Sequence, residues 1–195
     1  MIKIENRLFF ILAFSMALVV TLSNYLVQFS VNYIGLQDLL TYGAFSYPVS
    51  FLITDLSNRK YGKNTAKKIV YLGFGLGVFL TLYFSTNYSN LISIRIAFGS
   101  GIAFLVAQLI DVNIFDILRK KVWFVAPLIS SLIGSSIDTF LFFSISFYGT
   151  NVNWITLSLG DLFVKIFVAL AMLIPFRFLL SGVQEISTIK KKISA

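Results

Sequence analysis

Residues 8 to 37 read LFFILAFSMALVVTLSNYLVQFSVNYIGLQ, and none of these 30 residues is charged. A helix needs about 20 mostly apolar residues to cross the hydrocarbon core of a bilayer, so this run is long enough to span a membrane. Two further charge-free runs of spanning length follow at 69–94 and 139–160. Shorter runs reach that length if each takes one acidic residue into or near the membrane, and they lie at 39–54, 96–110 and 122–137.

The fold class predicted from these runs is all-α, a polytopic membrane protein built as a bundle of six transmembrane helices. We expect one transmembrane domain over residues 1–195. The predicted helices cover about 8–30, 39–56, 69–86, 93–117, 122–148 and 155–180.

The composition agrees with a lipid-exposed surface. Of the 195 residues, 57% are hydrophobic and only 12% are charged, with a mean hydropathy of +0.87. A soluble domain carries about 25% charged residues. The chain has no cysteine and no histidine, which excludes disulfides, zinc sites of the usual Cys/His type and the commonest general base. We expect no cofactor and no metal.

The basic residues give the orientation. Of the 16 Lys and Arg residues, 14 fall at one end of the predicted helices, and only Arg95 and Lys165 break the alternation. Basic segments stay in the cytoplasm, so both termini are predicted to be cytoplasmic, with the lipid bilayer as the surrounding partner. The net charge of +8 does not indicate nucleic-acid binding, because the basic clusters are separated by long apolar runs rather than forming one face.

Several polar residues lie inside the predicted spans, where they usually face the bundle interior and mark a site or pathway. Two sets repeat at i, i+4, i+7 and i+11, so each set shares one helix face. The first set contains Phe104, Gln108, Asp111 and Phe115, and the second contains Ser131, Ser135, Asp138 and Phe142. Neither Asp111 nor Asp138 has a basic partner near it on its own helix.

The other intramembrane charges have structural interpretations as well. Asp161 and Lys165, one turn apart, are expected to neutralise each other. Asp55 either caps or pairs with the basic loop after it or has a functional role, and the sequence leaves both open. Residues 73–77, GFGLG, lack the pattern of a nucleotide-binding loop and predict close helix packing.

Three motifs resemble those of the vitamin uptake transporter family and appear in the order and spacing of that family. They are residues 48–58, PVSFLITDLSN, followed by Tyr61-Gly62; residues 107–111, AQLID, with Phe115 and Arg119; and residues 130–134, SSLIG, with 137–139, IDT, and Phe142-Phe143. One departure is Arg59, where the family often has an acidic residue, which concerns loop contacts more than substrate class.

The resemblance implies a bundle similar to the substrate-binding subunits of energy-coupling-factor transporters. It also implies import of 7-deazaguanine precursors of queuosine, such as 7-cyano- and 7-aminomethyl-7-deazaguanine, through the bacterial cytoplasmic (inner) membrane. A carboxylate can accept the paired ring N–H and exocyclic amine of such a base. The hypothesis is that Asp111 or Asp138 holds the base edge.

The remaining candidates surround these two carboxylates. The carbonyl of the base could accept from Gln108 or Asn113, and its flat face could contact Phe115, Phe142 or Tyr47. The full set of candidate substrate-binding residues is Asp111, Asp138, Gln108, Asp55, Asn113, Phe115, Phe142 and Ser135.

Other functions stay open at this point. The chain could import another vitamin-like or purine-like solute, or act as a membrane assembly or scaffold protein whose Asp residues only join helices. A membrane enzyme with an acidic pair is not favoured, because no further catalytic motif accompanies the carboxylates. The sequence does not distinguish a proton, a cation or an ATPase partner as the energy source, nor does it give the oligomeric state.

Overall fold

The computed structural model describes residues 2–33, 40–84 and 90–180, and these form a helical bundle. The helices are α1 (Ile2–Leu26), α2 (Gly43–Ser46), α3 (Pro48–Tyr61), α4 (Lys63–Phe84), α5 (Leu91–Leu118), α6 (Val125–Phe147) and α7 (Trp154–Leu180). Within this described part the only strand-like pairing is an isolated antiparallel bridge between Ser30 and Thr41. The all-α prediction is confirmed.

Five of these helices are long and apolar enough to cross a membrane, namely α1 from Arg7 onward, α4, α5, α6 and α7. Their outer faces expose large apolar side chains that a water-soluble protein would bury. Phe10 on α1 is 66% exposed, Phe79 on α4 is 65% exposed and Phe163 on α7 is 74% exposed. Such a surface is stable in lipid, and the chain is a multi-pass membrane protein.

The second predicted helix has other limits than the expected 39–56, and α1 runs from Ile2 to Leu26 instead of the expected 8–30. Residue 39 lies outside the described residues, and the helical segment runs from Gly43 to Tyr61 as α2 and α3 with Tyr47 between them. Tyr47 has helical angles (φ −58°, ψ −41°), whereas Pro48 lacks the N–H that would continue the hydrogen-bond ladder. The combined segment is about 27 Å long, close to the thickness of the hydrocarbon core.

The start of α4 also differs from the sequence prediction, which placed it at residue 69. Gly62 has φ of +82°, a conformation that favours glycine, and it ends α3 so sharply that α4 begins at Lys63. The helix includes Lys63, Lys67 and Lys68, which precede the charge-free run that begins at residue 69. Transmembrane helices extend past the apolar core, and the charges lie at one end of the bundle.

Close packing of α1 on α4 shows the relative direction of the two helices. A Cβ added at Gly73 would lie 2.4 Å from Cγ of Met16, and one added at Gly77 would lie 2.9 Å from Cβ of Val20. The prediction that residues 73–77 mediate close helix packing is therefore confirmed. Because both contacts advance along the two helices in the same direction, α1 and α4 run parallel. The α2–α3 segment returns the chain between them, which makes six passages.

Two sets of arginine contacts cap helix C-termini. Arg95 donates to the carbonyl of Ile145 at 2.9 and 3.1 Å and to that of Tyr148 at 2.8 Å, where α6 ends. At the other end of the bundle Arg119 donates to the carbonyl of Arg59 at 3.1 Å, and Arg59 donates to that of Arg119 at 2.9 Å. The C-termini of α3 and α5 thus lie side by side, and we call this the basic end of the bundle.

Candidate functional site

The polar side chains inside the bundle form two groups at different depths. Asp138 is about 20 Å along α6 from its start at the basic end, whereas Asp111 is about 10 Å from the basic end of α5. The first group, the triad, consists of Asp138, Asp161 and Lys165. The second group, the carboxylate pair, consists of Asp55 and Asp111.

The triad is a fully buried ion cluster between α6 and α7. Lys165 Nζ lies 2.6 Å from Oδ2 of Asp161, 2.9 Å from Oδ2 of Asp138 and 3.1 Å from Oγ1 of Thr139. The expected pairing of Asp161 with Lys165 is confirmed. All three N–H donors of the ammonium group are used, and the cluster holds two carboxylates against one cation.

A partly open cavity lies beside the triad, and we call it the triad cavity. Tyr47, at the break between α2 and α3, contributes a ring that lies 5.0 Å from Lys165 Nζ and a hydroxyl that neighbours the Asp138 carboxylate. This hydroxyl forms no hydrogen bond with a described residue. The cavity is lined by Ser23, Asn24, Val27, Gly43, Tyr47, Ser100, Asp138, Phe142, Asp161 and Lys165.

The carboxylate pair joins α3, α5 and α6. Asp55 accepts hydrogen bonds from Ser130 and Ser131, each at 3.3 Å. Asp111 is completely buried beside the Asp55 carboxylate, and neither of its carboxylate oxygens forms a hydrogen bond with a described residue. The helices approach closely here because Gly134 lacks a side chain, and a Cβ at that position would lie 2.6 Å from the Phe51 ring.

A second cavity opens beside this pair between α3, α6 and α7. Ser135 lines it with a fully buried hydroxyl that has no hydrogen-bond partner among the described residues. The lining consists of Pro48, Phe51, Leu52, Asp55, Pro127, Ser131, Ser135, Ala169, Met172, Leu173 and Phe176. No group of three or more acidic side chains that could hold a metal ion occurs in the described part of the chain.

Both predicted helix faces are buried. All members of the Phe104 to Phe115 set and of the Ser131 to Phe142 set are at most 8% exposed, so the shared-face predictions are confirmed. The structure brings Asp138 and Phe142 to the triad cavity, and Asp55 and Ser135 to the second cavity, with Asp111 behind Asp55.

Four of the candidate residues line neither cavity, namely Asp111, Gln108, Asn113 and Phe115. Gln108 connects α5 to α3, donating to Oγ of Ser50 at 2.8 Å and accepting from the Thr54 hydroxyl. Asn113 donates to the carbonyl of Leu109 on its own helix at 2.6 Å. The Phe115 ring packs against Phe176 and beneath the Arg59 guanidinium.

Several residues that line the triad cavity were not predicted from the sequence. Ser23 and Asn24 of α1 are at most 3% exposed, and Asn24 donates to Oγ1 of Thr81 at 3.0 Å. Their position as a polar pair in the middle of the charge-free run 8–37 was the sequence feature that could have identified them. Lys165 was assigned only to Asp161, because helix spacing reveals partners on the same helix and not the contact with Asp138.

Known proteins match the chain over most of its length. A family model described as "Putative vitamin uptake transporter" matches residues 41–180. A "Queuosine precursor transporter" from Escherichia coli (strain K12) is 32% identical over 177 residues, which cover 81% of this chain and 79% of that protein. A "Probable queuosine precursor transporter" from Haemophilus influenzae (strain ATCC 51907 / DSM 11121 / KW20 / Rd) is 34% identical over 69% of this chain and 66% of its own length.

A third relative, a "Probable queuosine precursor transporter" from Bacillus subtilis (strain 168), is 28% identical over 71% of this chain and 70% of its own length. No solved structure gives a significant match. The likeness to energy-coupling-factor subunits therefore stays a prediction. The family model covers well over half of the chain, and the residues that it matches include both buried polar groups. This chain belongs to the vitamin uptake transporter family and is a multi-pass membrane transporter rather than an enzyme.

Proposed function

We propose that this chain imports queuosine precursors, 7-deazaguanine bases such as 7-cyano-7-deazaguanine, through the bacterial cytoplasmic membrane. The names of its relatives support the substrate class. The sequence assigns 14 of the 16 basic residues to one end of the predicted helices, which supports cytoplasmic termini.

The observation that carries the proposal is the Asp138 carboxylate at the wall of the triad cavity. Its Oδ2 accepts from Lys165 at 2.9 Å, and the triad holds two carboxylates against one cation. A deazaguanine presents its ring N–H and exocyclic amine side by side as donors, and a carboxylate accepts such a pair. The surplus carboxylate of the triad thus matches the donor edge of the base.

The carbonyl of the base needs a donor next to the carboxylate. Gln108 is already bonded to Ser50 and lies outside the cavity, so the donor in this proposal is the unpartnered hydroxyl of Tyr47. Phe142, one turn after Asp138 on α6, lines the same cavity and supplies an apolar surface for the flat face of the base.

The test uses bacteria that cannot make the precursor but retain the enzymes that insert it into tRNA. Cells producing the wild-type chain and given 7-cyano-7-deazaguanine at low concentration are expected to accumulate queuosine in their tRNA. Asp138→Asn should abolish this gain at equal membrane abundance. Asp116→Asn is the matched control, because Asp116 is partly exposed and pairs with Arg119. No gain with wild type, or full gain with Asp138→Asn, would contradict the proposal.

A further inference from the structure

The carboxylate pair is not needed to read a base in the triad cavity, yet it is the most deeply buried acidic group of the bundle. Asp55 is 2% exposed and Asp111 is 0% exposed, and the two carboxylates are electrostatic neighbours. Two adjacent negative charges away from water repel each other and lose their hydration. Such a pair is stable when a cation lies between or beside the carboxylates.

Asp111 presents two buried acceptors at this place, because neither of its carboxylate oxygens forms a hydrogen bond with a described residue. Two nearby cations have acidic partners of their own, since Lys165 pairs with the two triad carboxylates and Arg119 pairs with Asp116. The charged side chains on the helices that pack around the pair are Arg59 on α3, Lys60 at its end, Lys63, Lys67 and Lys68 on α4, Arg95, Asp116 and Arg119 on α5, Asp138 on α6, and Asp161, Lys165 and Arg177 on α7.

A separate observation points to a ligand at the same place. Ser135 is 0% exposed, lines the second cavity together with Asp55 and Ser131, and leaves its hydroxyl without a partner among the described residues. A buried hydroxyl of this kind costs free energy unless something bonds to it. Carboxylate and hydroxyl oxygens are the ligands that hard cations prefer. Only two carboxylates are present, which suits a monovalent ion.

We propose that Asp55, Asp111 and Ser135 form a binding site for a monovalent cation, either Na⁺ or a proton, that couples to solute transport. The site is distinct from the triad cavity, so it goes beyond the proposed substrate. Coupling has a short route, because Ser135 and Asp138 lie three residues apart on α6 and face different cavities. Tyr47 and Pro48 divide the two cavities in the same way on the other wall.

The first experiment measures thermal unfolding of the full chain in nanodiscs, without any solute. NaCl is compared with choline chloride at equal ionic strength, and a pH series is recorded in choline chloride. We expect the wild-type unfolding temperature to rise with Na⁺ if the site takes a metal ion, or to depend on pH if it takes a proton. Asp111→Asn should lose that response, whereas Asp116→Asn on the same helix should keep it.

A second pair of variants guards against a folding defect in Asp111→Asn. Ser135→Ala should weaken the cation response, and Ser136→Ala is its control, because Ser136 is exposed and donates to the Leu132 carbonyl on its own helix. If Ser135 had no ligand, its replacement by alanine would remove an unsatisfied hydroxyl and leave the response intact.

The second experiment measures solute uptake by proteoliposomes under an imposed Na⁺ or pH gradient. One of the two gradients should accelerate uptake by about tenfold, a usual size for coupling between two sites, and Asp111→Asn should abolish that acceleration. Equal responses of wild type, Asp111→Asn and Ser135→Ala to both ions would overturn the inference. The unfolding assay contains no solute. Its result therefore tests the cation site even if the chain does not transport the proposed substrate.

Discussion

Two single substitutions, Asp138→Asn and Asp161→Asn, distinguish substrate recognition from stabilisation of the fold by the triad. In Asp138→Asn, Lys165 keeps Asp161 at 2.6 Å, and in Asp161→Asn it keeps Asp138 at 2.9 Å. Each variant therefore retains one buried ion pair, and the cost in stability should stay below the roughly 3–5 kcal/mol of breaking such a pair completely. If the triad were only structural, Asp161→Asn would be at least as harmful, since it removes the shorter contact.

The proposed recognition predicts the opposite order for binding. Asp138→Asn replaces a charged acceptor by a neutral amide, and hydrogen bonds to charged groups contribute roughly 1.5–3 kcal/mol each. Loss of one such bond weakens affinity by about 10- to 150-fold. Asp161→Asn leaves the Asp138 acceptor in place, so the affinity for a 7-deazaguanine should change by less than about tenfold.

The assay is ligand-induced thermal stabilisation of the purified variants, with 7-cyano-7-deazaguanine titrated against each. Uptake into cells at matched membrane abundance provides the second readout. Equal losses of affinity in the two variants, or wild-type affinity in Asp138→Asn, would refute the assignment of Asp138 to the base edge.

Three further outcomes follow from the packing. Lys165→Met leaves two carboxylates buried without their ammonium group and should destabilise the protein by about 3–5 kcal/mol, measured as a fall in unfolding temperature. Gly73→Ala should cost about 1–3 kcal/mol at the contact between α1 and α4, whereas Gly75→Ala, with open space around it, should lower the unfolding temperature by much less. Gly134→Ala places a methyl group 2.6 Å from an aromatic ring and 3.4 Å from Cβ of Asp111, so uptake should fall more than with Gly101→Ala, whose added carbon meets only ordinary contacts.

Periodicity and charge placement predicted much of this architecture. The i, i+4, i+7 pattern correctly placed Asp111 and Asp138 on buried helix faces, because helix geometry fixes which side chains share a face. The charge-free runs gave the number of passages. These features depend only on neighbours along the chain, which is why one sequence sufficed to predict them.

Contacts between helices could not be predicted from spacing along the chain. The ion pair of Lys165 with Asp138 joins residues 27 positions apart, and no spacing rule connects them. Gln108 looked equally suited to a ligand, yet its amide is used by Ser50 on α3. The start of α4 was placed too late, because a search for charge-free runs stops at the first lysine although the helix does not.

The saturated ammonium group of Lys165 has a consequence for which solutes can enter. Its three donors already serve Asp138, Asp161 and Thr139, so the triad cavity offers no free positive group to a phosphate. A nucleotide would bring its own negative charge to a wall that carries one carboxylate more than it has cations. Coulombic repulsion in a poorly hydrated space is strong, so we expect phosphorylated purines to bind the triad cavity much more weakly than a free base. Under the proposed function, the importer would take up free bases and exclude nucleotides.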